Sequence, residues 1–232
     1  MLKFHFPYTN LSLDNQSKIL LDACFLLALQ DEEHEFNKYC DDISNFLIKN
    51  KCKLFVSNVV VSEVINILIQ RFFINDIGYR SSDFTFNSID DINKLVSTYF
   101  NDYEKQIINN DNKEQFRKIN FTKAFNYINK KSFDRDLLKV YFEESIYAIN
   151  ELEEDLNLSI LPVNANMVIG AKELSSNYLM GINDAQHLAV SLSHRLDYIL
   201  TLDGDFDKVP VDRVKILTIE ALDELKSTGT EN

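Results

Sequence analysis

Five short runs along the chain are apolar with little polar alternation: 18–23 (KILLDA), 53–57 (KLFVS), 159–163 (SILPV), 198–202 (YILTL) and 214–218 (VKILT). Such runs fit strands buried on both faces. Helical periodicity separates them, which predicts a parallel sheet with helices on both sides. The stretch from about residue 75 to 157 has no such run. It predicts three long helical segments, around 89–109, 114–129 and 133–156. The expectation is a single α/β domain over 1–232, with a helical insertion at 75–157.

Composition agrees with this pattern. Of 232 residues, 45% are hydrophobic, enough for a core, and only 5 Gly and 3 Pro interrupt the helices. No apolar run reaches the roughly 18 residues of a membrane span, and the first residues do not read as a signal peptide. Three cysteines, Cys24, Cys40 and Cys52, lack metal-type spacing and fit a reducing, cytoplasmic setting. The net charge of −12 excludes nucleic-acid binding by bulk positive field. It does not exclude a nuclease whose carboxylates are neutralised by cations. Residues 76–150 carry 11 Lys and Arg against 12 Asp and Glu, so nearly all the acidity belongs to the α/β part.

Acids set in apolar surroundings are the candidate chemistry, because a buried carboxylate needs a cation, a donor or a raised pKa. Asp22 ends the first run and reads either as an N-cap or as a site residue at the carboxyl end of a strand. Glu63 shares a helical stripe with Val59, Val60 and Ile67, after a cap at Ser57 or Asn58; it reads as a site residue or as an acid snorkelling at the stripe's edge. Asp184 follows an expected N-cap at Asn183, with Gln186 completing a capping box; a first-turn acid also suits the helix dipole. Asp203 and Thr201 share one side of the fourth run's end, with Asp205 and Asp207 beyond; turn polarity is the competing account. Four acids on one sheet edge repel unless cations lie between them, and hard oxygen donors in that number suit Mg²⁺ or Mn²⁺.

The order of these motifs resembles the PIN-domain nucleases, the fold of VapC-type toxin ribonucleases. An Asp ends strand one (Asp22), a Glu lies in the helix after strand two (Glu63), and an Asp starts a late helix (Asp184). A strand then closes in T-x-D-x-D-F, here Thr201, Asp203, Asp205 and Phe206. The resemblance covers roughly 18–70 and 157–218. It implies a five-stranded parallel sheet and metal-dependent phosphodiester cleavage, usually of RNA. Asp22, Asp184 and Asp203 are then the expected direct ligands. Glu63 would hold a second ion or orient its water, Asp205 would stand further out, and Thr201 or Ser57 would support a ligand. The helical insertion is larger than in compact toxin members.

Residues 113–131 set six basic side chains, among them Arg117, Lys118, Lys123, Lys130 and Lys131, against Glu114 alone. Phe116, Phe121, Phe125 and Tyr127 are interleaved. This reads either as an RNA-binding face or as an amphipathic helix with buried aromatics. His187, one turn after Asp184, reads as a structural histidine or as an outer neighbour of the site; Cys24 reads as a small buried hydrophobe. The expected function is a metal-dependent endoribonuclease, a toxin with an antitoxin partner or a housekeeping enzyme, with homodimerisation open and no membrane association. The alternatives are a catalytically weak binding module acting through the insertion, and a structure-specific DNA nuclease.

Overall fold

A computed structural model describes residues 1–9, 11–80, 85–110, 113–131, 133–204, 206 and 213–219. The chain divides into two compact units, one formed by 1–64 and 150–232 and the other by 65–149.

The first unit is built on a parallel sheet. Its strands are β1 (Lys3–Phe6), β2 (Lys18–Leu21), β3 (Lys53–Ser57), β4 (Ser159–Leu161), β5 (Tyr198–Leu200) and β6 (Lys215–Ile219), in the order β1-β6-β5-β2-β3-β4. Every pairing is parallel; Leu20 of β2, for example, lies opposite Phe55 of β3 and Ile199 of β5. The five expected strands are all present. The sixth, β1, pairs only with β6 and alternates polar and apolar residues at four half-buried positions, so it lacks the continuous apolar run that marks the central strands. Ile19, Leu20 and Leu21 are fully buried, as two covered faces require.

Helices α1 (Ala23–Gln30) and α2 (Asn37–Lys49) carry the chain from β2 to β3, and α3 (Asn58–Gly78) follows β3. Its cap is Ser57, whose Oγ accepts the Val60 N–H at 3.2 Å; the Asn58 side chain is used elsewhere, accepting the Val163 N–H.

The second unit is helical. It holds the end of α3, then α4 (Ile89–Tyr99), α5 (Asp102–Asn109), α6 (Lys113–Phe116), α7 (Phe121–Asn129), a 3₁₀ turn at Arg135–Leu138 and the start of α8 (Lys139–Asp155). Two of the three long expected helices are therefore interrupted, and the third opens with a 3₁₀ turn that runs directly into α8. Asparagines cause both breaks by capping new helices: Asn101 forms a capping box with Glu104 at α5, and Asn120 accepts the Lys123 N–H at α7. The core of this unit includes Phe73, Ile77, Leu95, Phe125, Ile128 and Tyr141.

In the first unit α9 (Ala165–Tyr178) and α10 (Ile182–Ser193) lead from β4 to β5. Met167, Ala171, Leu188 and Ala189 of these helices pack with Leu20, Ile199 and Ile216 of the sheet. The chain runs from β2 outward through β3 and β4, then returns to place β5 on β2's other side. The β2/β5 boundary is thus a topological switch point, the place where open α/β sheets leave a crevice beyond their strand ends.

Candidate active site at the carboxyl edge of the sheet

Asp22 follows β2 directly and sits at that switch point. It is the N-cap of α1, so the capping account of this residue holds, with the Ala23 N–H donating to Oδ1 at 2.7 Å. It is also 6% exposed, and two of its other contacts, Thr201 and His187, come from far along the chain. The Thr201 hydroxyl, just beyond β5 and fully buried, donates to Oδ2 at 2.7 Å. The Asp203 N–H donates in turn to Thr201 Oγ at 2.9 Å, which leaves the threonine proton directed at the carboxylate. Two neighbouring strand ends are thereby tied through one carboxylate.

Cys24 completes this corner. Its thiol donates to Asp22 Oδ2 at 3.1 Å and accepts the Leu202 N–H at 3.2 Å. Burial, and then the nearby Asp22 charge, push its pKa well up, so it remains a thiol donor and is a poor nucleophile. Cys24 is thus more than a small hydrophobe: it contacts the central acid.

His187 is 1% exposed and brings Nε2 to 3.3 Å from Asp22 Oδ1. It lies one turn after Asp184 on α10, and a helix leading into a parallel strand starts at the sheet's carboxyl edge, so both residues belong to that edge. The cap of α10 is Gly181, not the expected Asn183. Asp184 therefore occupies the third helical position, with its carboxylate folded back over the cap: a Cβ at Gly181 would meet Asp184 Oδ2 at 2.7 Å. A side chain at Gly181 would have to turn that carboxylate aside.

Glu63, in the second turn of α3, approaches from the β3 side. Its Oε2 is buried and has no hydrogen-bond partner among the described residues. Burial pushes its pKa up; His187 opposes the shift and Asp22 adds to it. Asp22 and Glu63 are therefore within electrostatic reach of each other. Asp203 is exposed, and Asp205 and Asp207 lie outside the described residues. Ser57 spends its hydroxyl on the α3 cap. Sequence reasoning underrated His187, whose partner Asp22 is remote in the chain, and Cys24, whose partner is the same Asp22 only two residues away; the signal for His187 was its position one turn after an acid.

The four acids arise at one edge, yet among the described residues no three His, Cys, Asp or Glu side chains close on a point that holds an ion. The donor chemistry still fits a hard dication. Two carboxylates within electrostatic reach, one with an orphaned buried oxygen, are the arrangement that a divalent cation relieves.

In the second unit the basic segment divides. Phe121 and Phe125 are buried and Phe116 stacks on Phe121 at 4.6 Å, so these aromatics serve the core. Tyr127 is 53% exposed, with Lys131 Nζ 4.8 Å from its ring centre. Arg117 and Lys118 line a groove of about 590 Å³ with Ile74 and Thr122.

The fold and this edge define a class: a parallel α/β protein with a buried carboxylate, Asp22, at a topological switch point. Residues 132–212 match the family model of the PIN domain, in agreement with the resemblance carried by the order of the carboxylates. The matched stretch contains Asp184, Asp203 and Asp205; Asp22 and Glu63 lie before it. PIN domains are generally nucleases that use divalent cations, and the match supports a nuclease. Among solved structures, the chain is similar to one described as VapBC2 from Rickettsia felis bound to a DNA fragment from its promoter. That match has a TM-score of 0.44 and 10% identity, and covers 86% of this chain and 97% of the other. No curated protein sequence matches the chain. No helix among the described residues is long and apolar enough to cross a membrane.

Proposed function

We propose that the chain is a divalent-cation-dependent endoribonuclease acting at the carboxyl edge of the sheet. The observation that carries this reading is the Asp22 carboxylate, buried at the switch point, fixed by Thr201 and in electrostatic reach of Glu63, whose Oε2 is orphaned. Asp22, Asp184 and Asp203 would hold Mg²⁺ or Mn²⁺, with Glu63 holding a second ion or orienting a water, and Asp205 standing further out. Bound there, the cation supplies charge neutralisation at the phosphate and a more acidic water. The protein's own part is orientation: Thr201 fixes Asp22 through its hydroxyl and ties Asp203 to the same corner through the Asp203 N–H.

RNA is the substrate that the resemblance to PIN-domain nucleases implies. The exposed Tyr127 beneath Lys131 offers a stacking surface, and Arg117 and Lys118 with Lys123 and Lys130 supply phosphate contacts within the second unit. A toxin role with an antitoxin partner, a homodimer and a cytoplasmic location belong to the same reading.

Single-stranded RNA and DNA incubated with the full chain, with Mn²⁺ or with a chelator, test it. RNA is cleaved with the metal and spared by the chelator, and Asp22→Asn and Asp203→Asn each lower the rate by at least about 10²-fold. Wild-type rates in both variants overturn the mechanism. Preference for DNA replaces the substrate, and metal binding without cleavage points to the binding module.

A further inference from the structure

Asp22 has room for about four hydrogen-bond donors on its two oxygens, and four approach it. Oδ2 receives the Thr201 hydroxyl and the Cys24 thiol; Oδ1 receives the Ala23 N–H and faces His187 Nε2. Three of these donors are local to strand ends or to the start of α1. The imidazole alone comes from α10, the helix that carries Asp184.

The other ring nitrogen decides the tautomer. His187 Nδ1 is buried and has no hydrogen-bond partner among the described residues. A proton there would be a buried donor with nothing to receive it, costlier than an idle lone pair. The proton therefore belongs on Nε2, where Asp22 accepts it.

We propose that His187 is a positioning residue of the carboxylate centre, acting through Asp22. Its Nε2–H fixes Oδ1 while Thr201 fixes Oδ2, so the plane of the carboxylate is set from two elements. Because Asp184 is one turn earlier on the same helix, this contact also holds the start of α10 in register with the end of β2. The proposal rests on the reading of Asp22 as a cation-holding residue, and extends it to a residue that touches neither cation nor substrate.

The conservative variants differ in where they place a donor. The amide nitrogen of Gln reaches the position of imidazole Nε2, whereas that of Asn reaches the position of Nδ1. In RNA cleavage by the full chain with Mn²⁺, His187→Asn lowers kcat about 10- to 100-fold with KM nearly unchanged, the usual cost of losing such a supporting contact. His187→Gln restores the rate to within about threefold of the unaltered protein. Mn²⁺ titrations follow the same order, weakened by Asn and restored by Gln. Equal losses in both variants, or no loss in His187→Asn, overturn the proposal.

A second measurement does not depend on activity. In nitrogen-resolved NMR of the metal-free chain, the His187 ring, assigned by its absence in His187→Gln, shows a slowly exchanging Nε2–H. That protection is lost in Asp22→Ala. An Nδ1–H tautomer, or protection indifferent to Asp22, overturns the proposal. If the unaltered protein cleaves no RNA, the functional reading fails on its own, and the NMR and Mn²⁺ arms still decide the role of His187.

Discussion

Among the described residues, each unit buries one carboxylate deeply, and the two are held differently. Asp76 in the helical unit is 2% exposed. Its Oδ1 accepts the Phe86 N–H at 2.7 Å; its Oδ2 accepts the Asn87 N–H at 3.1 Å and the Tyr141 hydroxyl at 2.6 Å. The Asn87 amide closes the node by donating to the Tyr141 oxygen and to the Leu137 carbonyl. Burial and Asp76 push the Tyr141 hydroxyl pKa far up, so it stays a donor. Both oxygens of Asp76 thus face backbone N–H groups that cannot reverse. At Asp22, Oδ2 faces a hydroxyl and a thiol, rotors able to turn from donating to accepting. A closed node specifies a fold, whereas a reversible one leaves an acid free to exchange partners as a cation would require.

The same substitution separates the two. Asp76→Asn sets an NH₂ against a backbone N–H in either orientation, and is expected to cost about 2–4 kcal/mol in chemical denaturation. Asp22→Asn places its NH₂ toward Thr201 and Cys24, which can accept, and is expected to cost less than about 1 kcal/mol while cleavage collapses. Equal stability losses would mean that both acids are structural and would remove the contrast.

This contrast also marks the limit of what the chain discloses by itself. An acid in an apolar stripe signals burial, and that rule found Asp22 and Glu63. Applied evenly, it flags Asp76 in FFINDIG as well. The pattern cannot separate them, because the donors that satisfy Asp76 come from Phe86 and Tyr141, distant segments whose approach is a matter of packing. The central strands were legible because two covered faces leave a continuous apolar run. Edge strand β1 was not, since one neighbour and half-burial permit alternation. Breaks in the helical unit turned on single asparagines competing with the backbone, and the α10 cap falls at Gly181, against the Asp184 carboxylate, with no side-chain cap to announce it.

Gly181 gives a smaller, sharper test of the open node. A methyl group there collides with Asp184 Oδ2 and must turn the carboxylate away from the cap. Gly181→Ala is expected to lower the cleavage rate about tenfold with stability within about 1 kcal/mol of the unaltered protein. Gly170, inside α9, has nothing within 4 Å of the place where a methyl group would stand, so Gly170→Ala serves as its control. It should stabilise by about 0.5–1 kcal/mol and leave cleavage unchanged. Loss of activity in both would trace to the helices as a whole and not to Asp184.

Glu63 yields the smallest effect and one with an unusual sign. Its carboxyl pKa is raised in the folded chain by burial, with Asp22 adding to the shift against the pull of His187. A raised folded value means the native state holds the proton more tightly than the unfolded chain does. Its contribution to stability is then fully present below the unfolded carboxylate value of about 4.3 and is lost as pH rises through the folded value. At neutral pH without metal, the ionised Glu63 is a liability. Glu63→Gln removes that charge and is expected to stabilise the metal-free protein slightly at pH 7, the effect being damped by solvent screening of a half-buried group, with the gain shrinking toward pH 4. Mn²⁺ should raise the melting temperature of the unaltered protein more than that of the variant, because mass action rewards the state that binds. A variant that is less stable than the unaltered protein at neutral pH, or one that Mn²⁺ stabilises equally, would show that Glu63 is an ordinary helix residue and not the unpaired acid of an ion site.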